Sequence, residues 1–88
     1  MPTFYPVFKV VKTAQSKSVD YNNGTITTAK LTATETIGTF RYWLTADGTN
    51  WEEVTNDVAH TFTNTGTDLR WRIQGTGTIT QIVISNYH

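Results

Sequence analysis

The sequence predicts an all-β fold, and within that class a single antiparallel β-sandwich, jelly-roll-like, with seven or eight short strands. Composition is the first reason: 19 of the 88 residues are threonine, which is stiff at χ1 and suits a half-buried pleated surface. The second is periodicity, since apolar residues recur at every second position and never keep helical spacing for more than a turn. The third is the regular placement of turn residues between these short runs.

Two runs show the clearest strand alternation, Phe40–Thr45 and residues 69–74. In the first, the parity opposite the apolar residues is occupied by Arg41, Trp43 and Thr45. In the second, apolar side chains share one face and long polar side chains the other, as expected of a strand with one face on a core. The predicted core is Phe40, Tyr42, Leu44, Leu69, Trp71, Ile73, Ile82 and Ile84. On the same alternation Arg41 and Trp43 face outward.

Four short stretches carry the residues that reverse a chain. Asp47-Gly48 is the strongest hairpin signal in the central run, because aspartate can bond backbone amides two residues on and glycine takes a positive φ at little cost. Asn-Gly predicts a further hairpin at residues 22–24, and Gly-containing turns are predicted at residues 64–68 and 75–77. These turns divide the chain into the short strands of the predicted sandwich.

No catalytic residues are predicted, so the chain is not expected to be an enzyme or to need a cofactor. Glu52 and Glu53 are adjacent in a short strand and point to opposite sides, which makes them a poor acid/base pair and favours solvation of both. His60 stands alone and is expected to be partly buried and hydrogen-bonded. The sequence has no cysteine, so a thiolate metal site is excluded.

One turn offers oxygen ligands for a metal. Asp47 and Asn50 could contribute to a calcium site, because Ca²⁺ prefers carboxylate and amide oxygens in loops. The alternative is that the Asp and Asn side chains only shape the turn, and this interpretation is favoured. No metal is therefore assigned.

Residues 1–12 leave two structural interpretations open. The stretch is apolar enough for a strand, but Pro6 lacks the amide donor that a central strand needs. The segment is therefore either an edge strand of its own sheet, which is favoured, or an arm lying on a neighbouring subunit. As an arm it would contact a partner through Phe4, Tyr5 and Phe8.

Size and charge restrict the partners. At 88 residues and 9.9 kDa the chain forms one domain, residues 1–88. Its formal net charge is zero, which argues against nucleic acid or an anionic membrane as partners and suits packing against other protein subunits. Neither a secretory signal nor an apolar run of bilayer length is found.

The outward Trp43, with Arg41 beside it, is the main candidate for a ligand contact. An exposed tryptophan with polar neighbours could stack on a sugar ring. Alternatively it could cover the second side of the sheet or lie in a subunit contact, since tryptophan is enriched at interfaces.

Residues 42–54 resemble the hairpin of discoidin-like β-sandwiches and related carbohydrate-binding modules, in which a tyrosine and a small residue precede Asp-Gly, and two residues separate Asp-Gly from a tryptophan. Here these are Tyr42, Asp47-Gly48 and Trp51. Residues 69–73 are similar to a later strand of that family. Together, residues 40–73 look more like a short β-sandwich that recurs in tailed-phage virion proteins, including tail, fibre and decoration components.

The resemblance implies a non-enzymatic structural or decoration component of a phage-like virion, in capsid, tail or fibre. Its partners would be other virion proteins and copies of itself, and it would be assembled in the host cytoplasm and exposed outside the cell in the virion. The alternative implied by the same resemblance is a carbohydrate-binding module that recognises glycans through exposed aromatic residues.

Overall fold

The protein is all-β in the computed structural model, which describes residues 2–5, 8–37 and 39–87. This confirms the predicted fold class. No helix occurs among the described residues. The strands are β1 (Pro2–Tyr5), β2 (Phe8–Gln15), β3 (Asp20–Ile37), β4 (Phe40–Thr45), β5 (Glu52–Val54) and β6 (His60–Tyr87).

The strands form one curled antiparallel sheet, a half-barrel, built around β6. Its order is β1-β6-β4-β5, and β2 and β3 also pair with β6. Along β3, residue numbers rise as those on β6 fall, from Lys30 opposite Ser85 to Thr34 opposite Gln81. A single 28-residue strand therefore holds together segments from the whole chain.

The N-terminal segment belongs to the sheet of its own chain, which is the edge-strand alternative. Pro2 lies opposite Ser85 in β1, and Phe8 lies opposite Ile79 in β2. Tyr5 is half-buried and packs edge to face on Trp71, with ring centroids 5.3 Å apart. Tyr5 is therefore held within the sheet of its own chain, and its role as a partner contact stays a prediction.

The other two predicted arm contacts, Phe4 and Phe8, have side chains outside the described part of the structure. Pro6, on which the two interpretations of the N-terminal segment turned, also lies outside the described residues.

Two of the predicted turns are not turns, because β6 runs unbroken through residues 64–68 and 75–77. Gly66 lies opposite Ile26 in β3, and Gly75 lies opposite both Lys12 and Phe40. Because glycine has no side chain, the backbone of a neighbouring strand can approach β6 closely at these positions and β6 can bend there. The chain does not reverse direction. Gly75, for example, has φ 143° and would place a Cβ 2.5 Å from the Thr39 carbonyl oxygen.

The hairpin predicted at residues 22–24 is instead a bulge inside β3. Asn22 and Gly24 have positive φ angles of 55° and 102°, so the backbone does adopt the conformation that the Asn-Gly signal favours. The chain nevertheless continues in the same direction, with Tyr21 opposite Asp68 and Ile26 opposite Gly66. Extra residues on β3 thus face a shorter span of β6, which is the definition of a bulge.

All eight residues predicted for the core are buried. Leu44, Leu69, Ile73, Ile82 and Ile84 are fully inaccessible to solvent. β3 contributes a narrow face of Ala29, Leu31 and Ala33, and further core residues come from both ends of the chain. These additional members are Val10, Ile26, Ala29, Leu31, Ala33, Ala46, Val54, Phe62 and Ile79.

The last part of β6 changes the parity of its buried residues. Ile79 is buried, and so are Ile82 and Ile84, which strict alternation would not allow. A register shift accounts for this, because Thr34 lies opposite Gln81 whereas Glu35 lies opposite Ile79. Two residues of β6 thus face one step along β3, so a bulge, and not burial of both faces, explains the change of parity.

Candidate functional site

The face of β2, β6, β4 and β5 that points away from the core carries a row of polar and aromatic side chains. Gln15 lies opposite Arg72, Arg72 opposite Trp43, and Trp43 opposite Glu53. Side chains directly opposite each other on one face of a sheet are within contact distance. Four residues that are remote in sequence therefore form one line across four strands.

A second row runs beside the first. Gln74 lies opposite both Thr13 and Arg41. Between the two rows is an open depression of about 490 Å³, lined by Thr13, Gln15, Trp43, Arg72 and Gln74. We call these five residues, together with Arg41, the outer site.

The two arginines of the outer site are held differently. Arg41 forms a two-bond ion pair with Glu53, with Nε to Oε2 and Nη2 to Oε1 distances of 2.9 Å each, and lies 5.2 Å from the Trp43 ring centroid. Arg72 lies 4.1 Å from the Trp51 ring centroid, and its Nε donates to Oε1 of Gln15 at 3.2 Å. Among the described residues, no carboxylate lies within 4 Å of the Arg72 guanidinium.

The Asp47 turn next to this sheet is closed by its own hydrogen bonds. Asp47 Oδ1 accepts from the backbone amides of Thr49 and Asn50, at 2.9 and 2.7 Å, and from the Thr45 hydroxyl at 2.9 Å. Its Oδ2 accepts from Nδ2 of Asn50 at 2.6 Å. The candidate calcium ligands therefore bond each other, which matches the turn interpretation, and the described residues contain no group of three or more His, Cys, Asp or Glu side chains placed to hold a metal.

Glu52 is not solvated, contrary to the prediction. Its side chain is only 14% exposed and joins β5 to the start of β6. Oε1 is 2.9 Å from Nε2 of His60 and 3.0 Å from the Thr63 amide nitrogen, while Oε2 accepts from the Asn64 amide at 2.8 Å. Its acceptors are satisfied by residues 8 to 12 positions further along the chain, beyond the loop that follows β5, so the local pattern of two adjacent glutamates did not reveal them. His60 has the predicted half-buried, hydrogen-bonded environment.

Three partly buried carboxylates have lowered pKa values, and the hydrogen bond to Arg41 also lowers the pKa of the exposed Glu53. Burial by itself raises the pKa of Asp47 and that of Glu52, but the hydrogen bonds described above outweigh it and hold both below their ordinary values. Hydrogen bonding to Arg70 lowers the pKa of Asp68, opposed by burial and helped by the Ser18 hydroxyl. All three carboxylates are therefore stabilised as anions in the folded state.

The protein is accordingly expected to lose stability in acid. Because folded pKa values lie below unfolded ones, the stabilisation is complete above the ordinary values of 3.8 for Asp and 4.5 for Glu. It is lost as pH falls through the lower folded values, since unfolding then takes up protons. Urea unfolding between about pH 6 and pH 2 should show this decline, and Asp47→Asn should make it shallower. A flat profile over that range would contradict the assignment.

The structure places the predicted contact residues Arg41 and Trp43 together on the outer face. Sequence reasoning missed Thr13, Gln15, Arg72 and Gln74 as their neighbours. The alternation of arginines in residues 69–73 was visible and did indicate an outward polar face. What brings these side chains together is the pairing of β6 with β2 and β4, which no local pattern encodes.

No family model, curated protein or solved structure matches this chain. In the described part of the chain, no helix is long and apolar enough to cross a membrane. The function must therefore be inferred from the geometry of the protein itself.

Proposed function

We propose that the protein is a non-catalytic structural or decoration component of a phage-like virion, located in its capsid, tail or fibre. It acts through contacts with other virion proteins and with copies of itself, and is carried outside the host cell in the virion. The proposal rests on the resemblance of residues 40–73 to a short β-sandwich of tailed-phage virion proteins, and one structural observation supports it. Residues 40–73, which carry it, supply β5, β4 and the first half of β6, and these strands are neighbours in one sheet. We further propose that the curled sheet is a jelly-roll-like sandwich, in which β6 contributes to both layers.

The edge strand β2 is the surface best suited to an assembly contact. Within the described residues β2 pairs only with β6, so its second edge has no strand partner. Such an edge offers unpaired backbone groups to a neighbouring chain. Val11, in the middle of β2, is 73% exposed, which adds an apolar side chain to that edge.

Co-sedimentation with purified particles tests the proposal. The protein is expected to self-associate or to sediment with particles, and Val11→Glu should weaken that association by placing a charge on the contact edge. Val58→Glu is the matched control, because Val58 is also exposed, at 52%, but lies in the loop before β6. A strictly monomeric protein that binds no particle component would overturn the proposal.

A second candidate function is glycan binding, and the depression in the outer site favours it. Trp43 lines this depression together with two glutamine amides. An aromatic ring beside hydrogen-bonding groups is the combination that a shallow carbohydrate site needs. A virion component can also carry such a site, so glycan binding and a structural role are compatible, although Thr13 and Gln15 of β2 line the depression.

A further inference from the structure

We propose that the depression in the outer site binds an acidic saccharide, whose carboxylate pairs with Arg72 while its ring packs against Trp43. This inference rests on the second candidate function, glycan binding, and is independent of the virion assignment. It adds the chemical class of the sugar and the residue that selects it.

Arg72 provides the charge selectivity. The other arginines of β6 and β4 are already compensated, since Arg70 pairs with Asp68 and Arg41 with Glu53, at 2.9 Å in both cases. Only the Nε of Arg72 has a described hydrogen bond, to Gln15, which leaves both terminal nitrogens to donate. An arginine presents two parallel N–H donors that match the two oxygens of a carboxylate.

Arg72 is also held in position before a ligand arrives. Its guanidinium stacks on Trp51 at 4.1 Å, and Gln15 holds its Nε from the opposite strand. A side chain that is already ordered loses less conformational entropy on binding. Neither contact uses a terminal guanidinium nitrogen as a hydrogen-bond donor.

The remaining lining residues suit the ring and hydroxyl groups of a sugar. Trp43 supplies apolar surface at one wall, while Gln74 and Thr13 are exposed and supply amide and hydroxyl groups. These groups can both donate and accept hydrogen bonds, as sugar hydroxyls can. A small inorganic anion would use Arg72 but would leave the Trp43 wall without a contact.

A matched pair of ligands isolates the carboxylate. Binding of a galacturonic acid oligomer, and of the same oligomer with its carboxyl groups methyl-esterified, should be measured by calorimetry at low salt. We expect the acid to bind about tenfold or more tightly than the ester, because a charge-assisted pair would be lost with the ester. Added salt should reduce the difference.

Variants identify the groups responsible. Arg72→Gln should remove the preference for the acid, and Trp43→Ala should abolish binding of both ligands, while near-UV circular dichroism and Tm show that each variant is folded. Lys17→Gln is the matched control, since Lys17 is an exposed cation outside the depression. It should leave both affinities unchanged.

Three results would overturn the inference in distinguishable ways. Equal binding of acid and ester, unaffected by Arg72→Gln, would preserve glycan binding but refute the acidic ligand. If neither oligomer binds, and neither sialyllactose nor lactose binds, both glycan binding and the acidic ligand are refuted. If Trp43→Ala abolishes particle or self-association and no saccharide binds, the face is a protein contact instead.

Discussion

Replacing Leu69 by alanine is expected to lower the free energy of unfolding by about 2 to 5 kcal/mol. Leu69 has no solvent exposure and belongs to the core cluster. Its backbone is also fixed, because its carbonyl oxygen accepts from the Val19 amide at 2.6 Å. The surrounding strands therefore have little freedom to close the cavity that alanine would leave.

Urea unfolding monitored by tryptophan fluorescence measures this loss. Gln74→Ala is the control, since Gln74 lies on the same strand but is exposed, and it should change stability by less than about 0.5 kcal/mol. A loss below about 1 kcal/mol for Leu69→Ala would mean that this side chain is not central to the core. Because domains of this size are only marginally stable, the variant could be largely unfolded without denaturant.

Gly66→Ala is expected to destabilise the protein by about 1 to 3 kcal/mol or more, through a backbone clash. A Cβ at this position would lie 2.7 Å from the Ala46 carbonyl oxygen and from Cα of Asp47. Neither backbone atom can move freely, because the Ala46 oxygen accepts from the Asp68 amide at 2.8 Å. The added methyl group must therefore separate the Asp47 turn from β6.

Thermal unfolding compares this variant with Thr67→Ala, its exposed neighbour on β6. Gly66→Ala should lower Tm by about 4 °C or more, as expected for each kcal/mol in a domain of this size, whereas Thr67→Ala should have little effect. An unchanged Tm for Gly66→Ala would show that the turn does not pack closely on β6. It would also leave unexplained why the chain does not reverse direction at residues 64–68.

Local patterns in the sequence were sufficient to predict that the fold is all-β and which residues of β4 and β6 lie in its core. Alternation alone identified the buried apolar residues of β4 and of residues 69–73, and it placed Trp43 outside. It was wrong for Thr45, which is fully buried although alternation puts it on the outward face. Asp47-Gly48 correctly predicted the β4–β5 reversal, in which Gly48 has φ 77°. These features depend on residues near one another in the chain, where propensity and periodicity act directly.

Long-range pairing could not be predicted in the same way. Glycine and asparagine at residues 22–24 and 64–68 have the same local preferences in a bulge, a bend or a hairpin, and the pairing of β3 with β6 decides among them. Glu52 was assigned to solvent because its bonding partners Thr63 and Asn64 are separated from it by a loop. The outer site is likewise a product of register, since β6 alone brings Gln15 and Trp43 to opposite sides of Arg72.

The central functional claim, that this chain is a structural part of a virion, is tested most directly by quantitative mass spectrometry of particles purified by density gradient from its source. The proposal predicts peptides of this chain in the particle band, in a constant ratio to the major particle proteins and retained after washing with high salt. Finding the chain only in the soluble fraction of the lysate, with none in the particle band, would contradict it.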